Sequence, residues 1–342
     1  MRQIWITKAG PPEVLQVREA PDPEAAPGEV RVRVKAAGIN FADLMARVGL
    51  YPDAPKIPCV VGYEVSGVID QVGEGVSTFA EGDRVFAMPK FGGYTDTLVI
   101  SAKQTFRMPD AMSFEAAAAL PVAYLTAYNM MIYTGNLRRG ARVLVHSAAG
   151  GVGLAALELA RTRDAVVYGT ASKGKHDFLR ERGCAHPLDS SGDVYEEARG
   201  LLGEHGFDLV LDPVGGASWK KAYDMLDKNG RLCCFGMSAA GGSGKTRSLF
   251  TAAMALLKSP KFSAMDLMDK NRTVTGCNMG HLFDRLDQLT EQFEALVAMA
   301  GRGEISPHVD RTFGFEEAPL AHHYIHDRKA KGKVLLVPED AS

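Results

Sequence analysis

Hydrophobic and polar positions change rhythm twice along this chain. Ile4-Trp5-Ile6-Thr7 reads as a strand almost from the first residue. Val30-Arg31-Val32-Arg33-Val34 puts an apolar side chain at every second position, the signature of a half-buried antiparallel strand. Residues 60–72 form another β-rich run, and the turn Gly82-Asp83 leads into Arg84-Val85-Phe86-Ala87. Pro27-Gly28, Pro52, Pro55, Pro58, Gly73 and Gly75 punctuate these runs. A helical pattern enters at Ser113, whose hydroxyl suits an N-cap, and continues to Tyr133 with a break at Pro121.

From Val143 the text becomes strand, helix, strand, helix. Short apolar strands are expected over 143–146, 165–168, 208–211, 231–235 and 273–275. Helices are expected after the first of these, on Leu154, Leu157, Leu159 and Ala160, and over 176–181 and 218–226. Strands alternating with helices imply right-handed crossovers and a parallel sheet covered on both faces. From Ile305 the text is strand-like again and ends in Lys333-Val334-Leu335-Leu336-Val337. The chain is expected to leave one domain, build a second and return to the first.

Length fits that reading, since 342 residues at about 150 per domain give two. A net charge of −2 argues against nucleic acid as a bulk-charge partner. Five cysteines at scattered spacing, with no C-x-x-C, argue against a disulfide framework or a four-cysteine zinc site. No apolar stretch of about 18 residues is present, so no transmembrane segment is expected. No signal peptide is expected, because strand-like text begins almost at once, and the expected location is cytoplasmic. Glycine, at 36 residues, is in surplus, which points to turns and to backbone lying close to a ligand.

Ala148-Ala149-Gly150-Gly151-Val152-Gly153 follows a strand and opens a helix. It is the dinucleotide-binding G-x-G-x-x-G pattern with alanine in the first place. Gly150 would let backbone approach a pyrophosphate, Gly153 would let helix pack on strand, and the N–H groups from Gly151 and Val152 would face phosphate charge. An NAD site usually closes the next strand with an acid for the ribose 2′-OH. Here that strand ends Tyr168-Gly169-Thr170-Ala171-Ser172-Lys173-Gly174-Lys175. Thr170, Ser172, Lys173 and Lys175 suit a 2′-phosphate, so the expected cofactor is NADPH; the lysines could also be ordinary solvated charges. Two further loops close strands, Asp212-Pro213-Val214-Gly215-Gly216 and Phe235-Gly236-Met237-Ser238. Val214, Phe235, Gly236, Met237 and Ser238 are expected on the cofactor side of the sheet's crest. Gly242-Ser243-Gly244-Lys245-Thr246 imitates the end of a P-loop, but Ala239 stands where the first glycine is needed, so a loop or lid is the reading.

The N-terminal text is more specific. Gly38-Ile39-Asn40-Phe41-Ala42-Asp43 with Gly49-Leu50-Tyr51, Gly62-Tyr63-Glu64, Gly82-Asp83-Arg84-Val85, Leu125-Thr126-Ala127-Tyr128, the glycine loop and Gly332-Lys333-Val334-Leu335-Leu336-Val337-Pro338 occur in order. Together they resemble the medium-chain dehydrogenase/reductase superfamily, in its zinc-free quinone oxidoreductase branch. Residues 40–51 and Asn271-Arg272…Gly276 resemble its vesicle amine transport protein-like group. The resemblance implies an α/β fold: a Rossmann doubly wound parallel sheet, residues 124–301, inserted in a GroES-like β-rich catalytic domain, residues 1–123 with 302–342. It also implies a homodimer. Zinc enzymes of the superfamily have Cys where Asn40 stands, His where Tyr63 stands, and a four-cysteine lobe that this chain lacks. No metal is expected.

The resemblance further implies a reductase that passes hydride from NADPH to a quinone or an α,β-unsaturated carbonyl. Asn40, in the cleft between domains, and Tyr51 would meet charge developing on the acceptor oxygen. Asn40 could instead be a left-handed turn residue, and Tyr51 an apolar cover. Asp43 could orient Arg47 at helical spacing or touch substrate. Thr126, Cys277, Asn278 and Met279 match segments beside the nicotinamide, and Arg328 matches a tail position that can reach the cofactor. Ser190 stands where relatives often place a tyrosine near the 2′-phosphate. Two other readings stay open. One is an NADPH-binding sensor or lipid-associated adaptor, which the Met-rich stretch 249–268 favours with Met254, Met265 and Met268 as a pocket, lid, core helix or dimer contact. The other is an enoyl-thioester reductase.

Overall fold

The alternating and the continuous apolar runs build two different sheets in a computed structural model that describes residues 1–241 and 249–338. Val143-Leu144-Val145 is buried along its whole length, as a strand covered on both faces must be. It lies in a six-stranded parallel sheet. The order across the sheet is His186–Asp189, Val166–Ala171, Arg142–Val145, Phe207–Asp212, Leu226–Cys234 and Thr273–Gly276. Counted along the chain this is 3-2-1-4-5-6, the doubly wound dinucleotide-binding order, with its switch point between Arg142–Val145 and Phe207–Asp212. Helices Gly151–Arg161, His176–Glu181, Val194–Leu202 and Ala217–Asp224 make the crossovers.

Two of these elements escape the sequence pattern. His186–Asp189 contains Pro187, which a central strand would not tolerate; the strand takes the sheet's edge, where no ladder donor is missed. Val194–Leu202 is a helix with Val194, Ala198 and Leu202 buried at fourfold spacing and Asp193 capping its start.

The alternating run becomes Glu29–Gly38, buried at every second position, in a seven-stranded, mostly antiparallel sheet. The chain's last described strand, Lys333–Val337, pairs with it antiparallel, Leu335 opposite Gly38. Both ends therefore build one unit, residues 1–122 with 280–338, and the middle builds the other, residues 123–241 with 249–279. The return comes earlier than the boundary at 302 drawn from sequence. Helix Leu286–Gly301 belongs with the ends, where Phe293 packs its ring 4.4 Å from that of Phe106 and 5.6 Å from that of Phe86.

Ser113 caps Phe114–Ala119 as expected, accepting from the Ala116 N–H at 3.1 Å, and Pro121 opens the next helix, Pro121–Tyr128. A π-helical turn, Asn129–Tyr133, finishes it. The Met-rich stretch folds as helices Leu249–Leu257 and Ala264–Lys270 and leaves Phe250, Leu256, Leu257, Met265 and Met268 exposed. The segment 242–246, read as a loop or lid, lies outside the described residues. No helix among the described residues is long and apolar enough to cross a membrane.

Candidate active site

Each unit carries a distinct set of groups. In the end-built unit, Asn40 stands at the N-cap of the short helix Phe41–Arg47, with extended backbone at φ −121°, ψ 155°. It is therefore no left-handed turn residue. Its side chain does not cap the helix either. Asp43 closes the first turn instead, accepting the Asn40 backbone N–H at 2.8 Å, while its own N–H donates to the Asn40 carbonyl at 3.0 Å. The Asn40 amide is thus released to other partners. Nδ2 donates to Glu64 Oε1 at 2.8 Å, and Oδ1 accepts from Lys333 Nζ at 2.9 Å. Glu64 and Lys333 also bond each other, with side chains 0% and 5% exposed.

Asp43, read as a partner for Arg47, bonds to backbone instead. Its second oxygen accepts the Gly62 N–H at 3.0 Å, and burial, outweighing both backbone bonds, pushes its pKa up to about 7. Arg47 is itself fully buried, donating to the Gly10 carbonyl and lying against His322 Nδ1 and His326. Tyr51 is half-buried on the same core and meets Tyr63 edge to face, ring centres 6.4 Å apart. Burial, then the Asp53 carboxylate, raises the Tyr51 phenol pKa. Among the described residues no group of three or more His, Cys, Asp or Glu side chains comes together as a metal site would require. Arg328, in this unit, is exposed in a left-handed turn at φ 55°.

In the middle unit the glycine turn sits at the sheet's switch point. A Cβ on Gly153 would lie 2.4 Å from the Ala148 carbonyl oxygen and 2.6 Å from its Cα, so only glycine allows this helix–strand contact. Gly150 is the N-cap of Gly151–Arg161; Gly151 and Val152, in the helix's first turn, are half-exposed, which is what a dinucleotide phosphate needs here. The second strand closes on Thr170 and Ala171 with no carboxylate. Thr170 is buried, and its hydroxyl accepts the Ser147 N–H at 3.0 Å, holding the turn. Ser172 and Lys173 are exposed, and Lys175 is half-buried. Lys173 Nζ lies 3.6 Å from Asp189, a carboxylate that ends the third strand and offsets part of that charge.

The two crest loops are zipped together. Phe235 N–H donates to the Asp212 carbonyl at 3.2 Å and Ser238 N–H to that of Pro213 at 2.9 Å. Gly215, at φ 80°, and Gly236 make room, since a Cβ on Gly215 would meet Met237 at 2.9 Å and one on Gly236 the Pro213 carbonyl at 3.0 Å. Val214 lies between these bonds, its N–H held by Asp212 Oδ1 at 2.6 Å. Thr126 is buried on helix Pro121–Tyr128. Cys277 continues the last strand, with its N–H on the Cys234 carbonyl at 2.9 Å and its thiol pushed up to about 12 by burial, so it stays protonated. Asn278 beside it is exposed and Met279 buried.

Sequence reading missed a chain of buried and half-buried polar groups beneath these loops. Asp212 accepts from the Ser218 hydroxyl at 2.6 Å, Ser218 meets Tyr195 at 2.8 Å, Tyr195 meets His146 Nε2 at 3.1 Å, and His146 Nδ1 lies 3.4 Å from the Thr170 hydroxyl. Burial lowers the His146 pKa, so the ring is neutral and can serve as donor at one nitrogen and acceptor at the other. It also missed Glu64 and Lys333. The only signal for Glu64 was its place in the Gly-Tyr-Glu motif; Lys333 read as the charge that opens a strand.

A doubly wound dinucleotide sheet inserted into a β-rich unit made from both chain ends is the architecture of the alcohol dehydrogenase type. Two family descriptions match: "Alcohol dehydrogenase GroES-like domain" over residues 26–110 and "Zinc-binding dehydrogenase" over 182–336. The rat synaptic vesicle membrane protein VAT-1 homolog is 42% identical over 325 residues, covering 95% of this chain and 80% of that protein. A quinone oxidoreductase of Pseudomonas aeruginosa is 31% identical over 340 residues, covering 98% and 99%. The crystal structure of Escherichia coli quinone oxidoreductase complexed with NADPH superposes with a TM-score of 0.86 at 30% identity, covering 99% of this chain and 100% of that one. The chain belongs to the medium-chain dehydrogenase/reductase superfamily, among the VAT-1 and quinone oxidoreductase homologues.

Proposed function

We propose that this protein is an NADPH-dependent, zinc-independent reductase of quinones or α,β-unsaturated carbonyls. The observation that carries the reading is the Asn40 amide: it occupies a cap position but makes no cap hydrogen bond, the Asp43 N–H going to the Asn40 carbonyl instead. A side chain freed in this way, in a chain related to quinone oxidoreductases, is suited to bind an acceptor oxygen. Gly150, Gly151 and Val152 would hold the pyrophosphate, and Thr170, Ser172, Lys173 and Lys175 the 2′-phosphate end. Val214, Phe235, Gly236, Met237 and Ser238, with Thr126, Cys277, Asn278, Met279 and Arg328, would hold the remainder.

NADPH, when bound, supplies the hydride. Negative charge would then grow on the acceptor oxygen, and the Asn40 N–H and the Tyr51 phenol would donate to it. One such donor is worth about 10²–10³ in rate in a water-poor site. The Tyr51 phenol, its pKa raised, stays protonated near neutral pH; the final proton can come from it or from water. We further read the protein as a cytoplasmic homodimer.

The direct assay follows NADPH oxidation against quinones, enals and enoyl thioesters. Turnover with quinones or enals, a lower KM for NADPH than for NADH, and no stoichiometric zinc in the pure protein are expected. Asn40→Ala should cut kcat about 10²–10³-fold while leaving the Kd for NADPH within twofold. An unchanged kcat removes Asn40 from the mechanism. The exposed Phe250, Leu256, Leu257, Met265 and Met268, together with kinship to a protein called a vesicle membrane protein, favour one other reading: an NADPH-binding adaptor at a lipid surface. Tight NADPH binding with no oxidation by any acceptor would select it.

A further inference from the structure

We infer that the buried Glu64–Lys333 ion pair is a positioning device that locks the Asn40 side-chain amide in one of its two flips and so presents a single free N–H. The inference rests on the reading of Asn40 as donor to the acceptor oxygen.

An asparagine amide is nearly symmetric in shape, and rotation by a half-turn exchanges its donor and acceptor ends. Here the two ends face opposite charges. Nδ2 lies 2.8 Å from the Glu64 carboxylate and Oδ1 lies 2.9 Å from the Lys333 ammonium. A flip would set oxygen against carboxylate and N–H against ammonium, losing both bonds and adding two repulsions against a buried ion pair. One Nδ2–H is spent on Glu64; the other makes no hydrogen bond among the described residues.

The pair has no capacity left for chemistry of its own. Lys333 has three protons and three acceptors: the Ile39 carbonyl at 3.1 Å, Asn40 Oδ1 and Glu64 Oε1. Glu64 Oε1 takes bonds from Lys333 and Asn40, and Oε2 accepts the Val122 N–H at 2.7 Å. Lys333 is therefore no proton donor to substrate, and Glu64 no base. The strand itself is cleared for this carboxylate: a Cβ on Gly38 would lie 2.2 Å from Glu64 Oε1. A buried ion pair contributes little net stability over an apolar pair of the same size, which leaves orientation as the function that its bonds serve.

The test is a mutant cycle in steady-state NADPH:quinone kinetics. Glu64→Gln/Lys333→Met removes both charges together, so no lone charge is stranded. It should lower kcat roughly tenfold and leave the KM for NADPH within twofold. In the Asn40→Ala background the same double change should lower kcat no further. Additive losses, or an unchanged kcat in the double variant, overturn the inference while leaving Asn40 in place. An Asn40→Ala enzyme with full kcat overturns the Asn40 reading itself. A second measurement needs no variant of the pair. With 15N-asparagine labelling, and the Asn40 signal assigned by its loss in Asn40→Ala, one Nδ2 proton should exchange with solvent far more slowly than the other. Equal, fast exchange of both protons overturns the lock.

Discussion

At the scale of single residues, Asn40 and Tyr63 are opposite cases of polar satisfaction. The motif singles out Asn40 but not its two holders. Glu64 is 24 residues away and Lys333 is 293 away, and no local pattern couples positions so distant. Tyr63 is 7% exposed, and its hydroxyl has no hydrogen-bond partner among the described residues. It faces the Tyr51 phenol closely enough to affect its ionisation, without hydrogen-bonding geometry. A buried donor left unmade costs about 1–3 kcal/mol. Tyr63→Phe keeps the ring contacts with Tyr51 and Phe91, at 6.4 and 5.2 Å between centres, and deletes only the unpaired group. It should raise the midpoint of urea unfolding, with a gain of about 1 kcal/mol. A loss of stability would mean that the hydroxyl has a partner in solution.

At the scale of elements, the glycine turn was readable because everything it needs is local: strand, turn and helix within residues 142–161. The contact that requires glycine is local too, between Gly153 and Ala148. Backbone at 2.4–2.6 Å from the new methyl cannot move aside as a side chain could. Gly153→Ala should therefore destabilise the protein by about 1–3 kcal/mol and weaken NADPH binding, since the helix must back away from its strand. Urea unfolding and an NADPH titration check both; unchanged values in both would show that the turn relaxes freely. The polar chain beneath the loops was unreadable for the converse reason. Tyr195 belongs to the helix that sequence reading missed, His146 follows the first strand, and Ser218 lies in the first turn of a helix beyond the fourth. Only the folded sheet brings these three elements together.

At the scale of the whole molecule, the sequence pattern conveyed that the chain leaves and returns, but not where, because the helix Leu286–Gly301 has the amphipathic look of a crossover. What the pattern could not convey is how the returning end is fastened. Besides Lys333, the helix Ala318–His326 places His322 against Arg47 at 3.1 Å and against the Tyr94 hydroxyl at 3.2 Å, all three fully buried. Asp43 lies in the same neighbourhood, flanked by Lys333 and Tyr94. These groups give stability two pH dependences of opposite sign. Burial holds Asp43 up at about 7 against 3.8 in a free side chain, so the folded state holds a proton that the unfolded state has released. Its contribution is full below pH 3.8 and is lost as pH rises towards 7. Burial, then the charges of Arg47, His326 and His323, pushes His322 well below 6.5, so the unfolded state takes the proton first. Its contribution is full above 6.5 and is lost as pH falls. Between pH 4 and 6.5 the two slopes oppose each other. Removing one should expose the other: Asp43→Asn should make stability fall more steeply on acidification than in the unaltered protein, and His322→Gln less steeply. Urea midpoints from pH 4 to 8 read those slopes independently of any fixed offset from the substitution. Parallel curves for all three proteins would mean that neither group carries its proton as this packing requires.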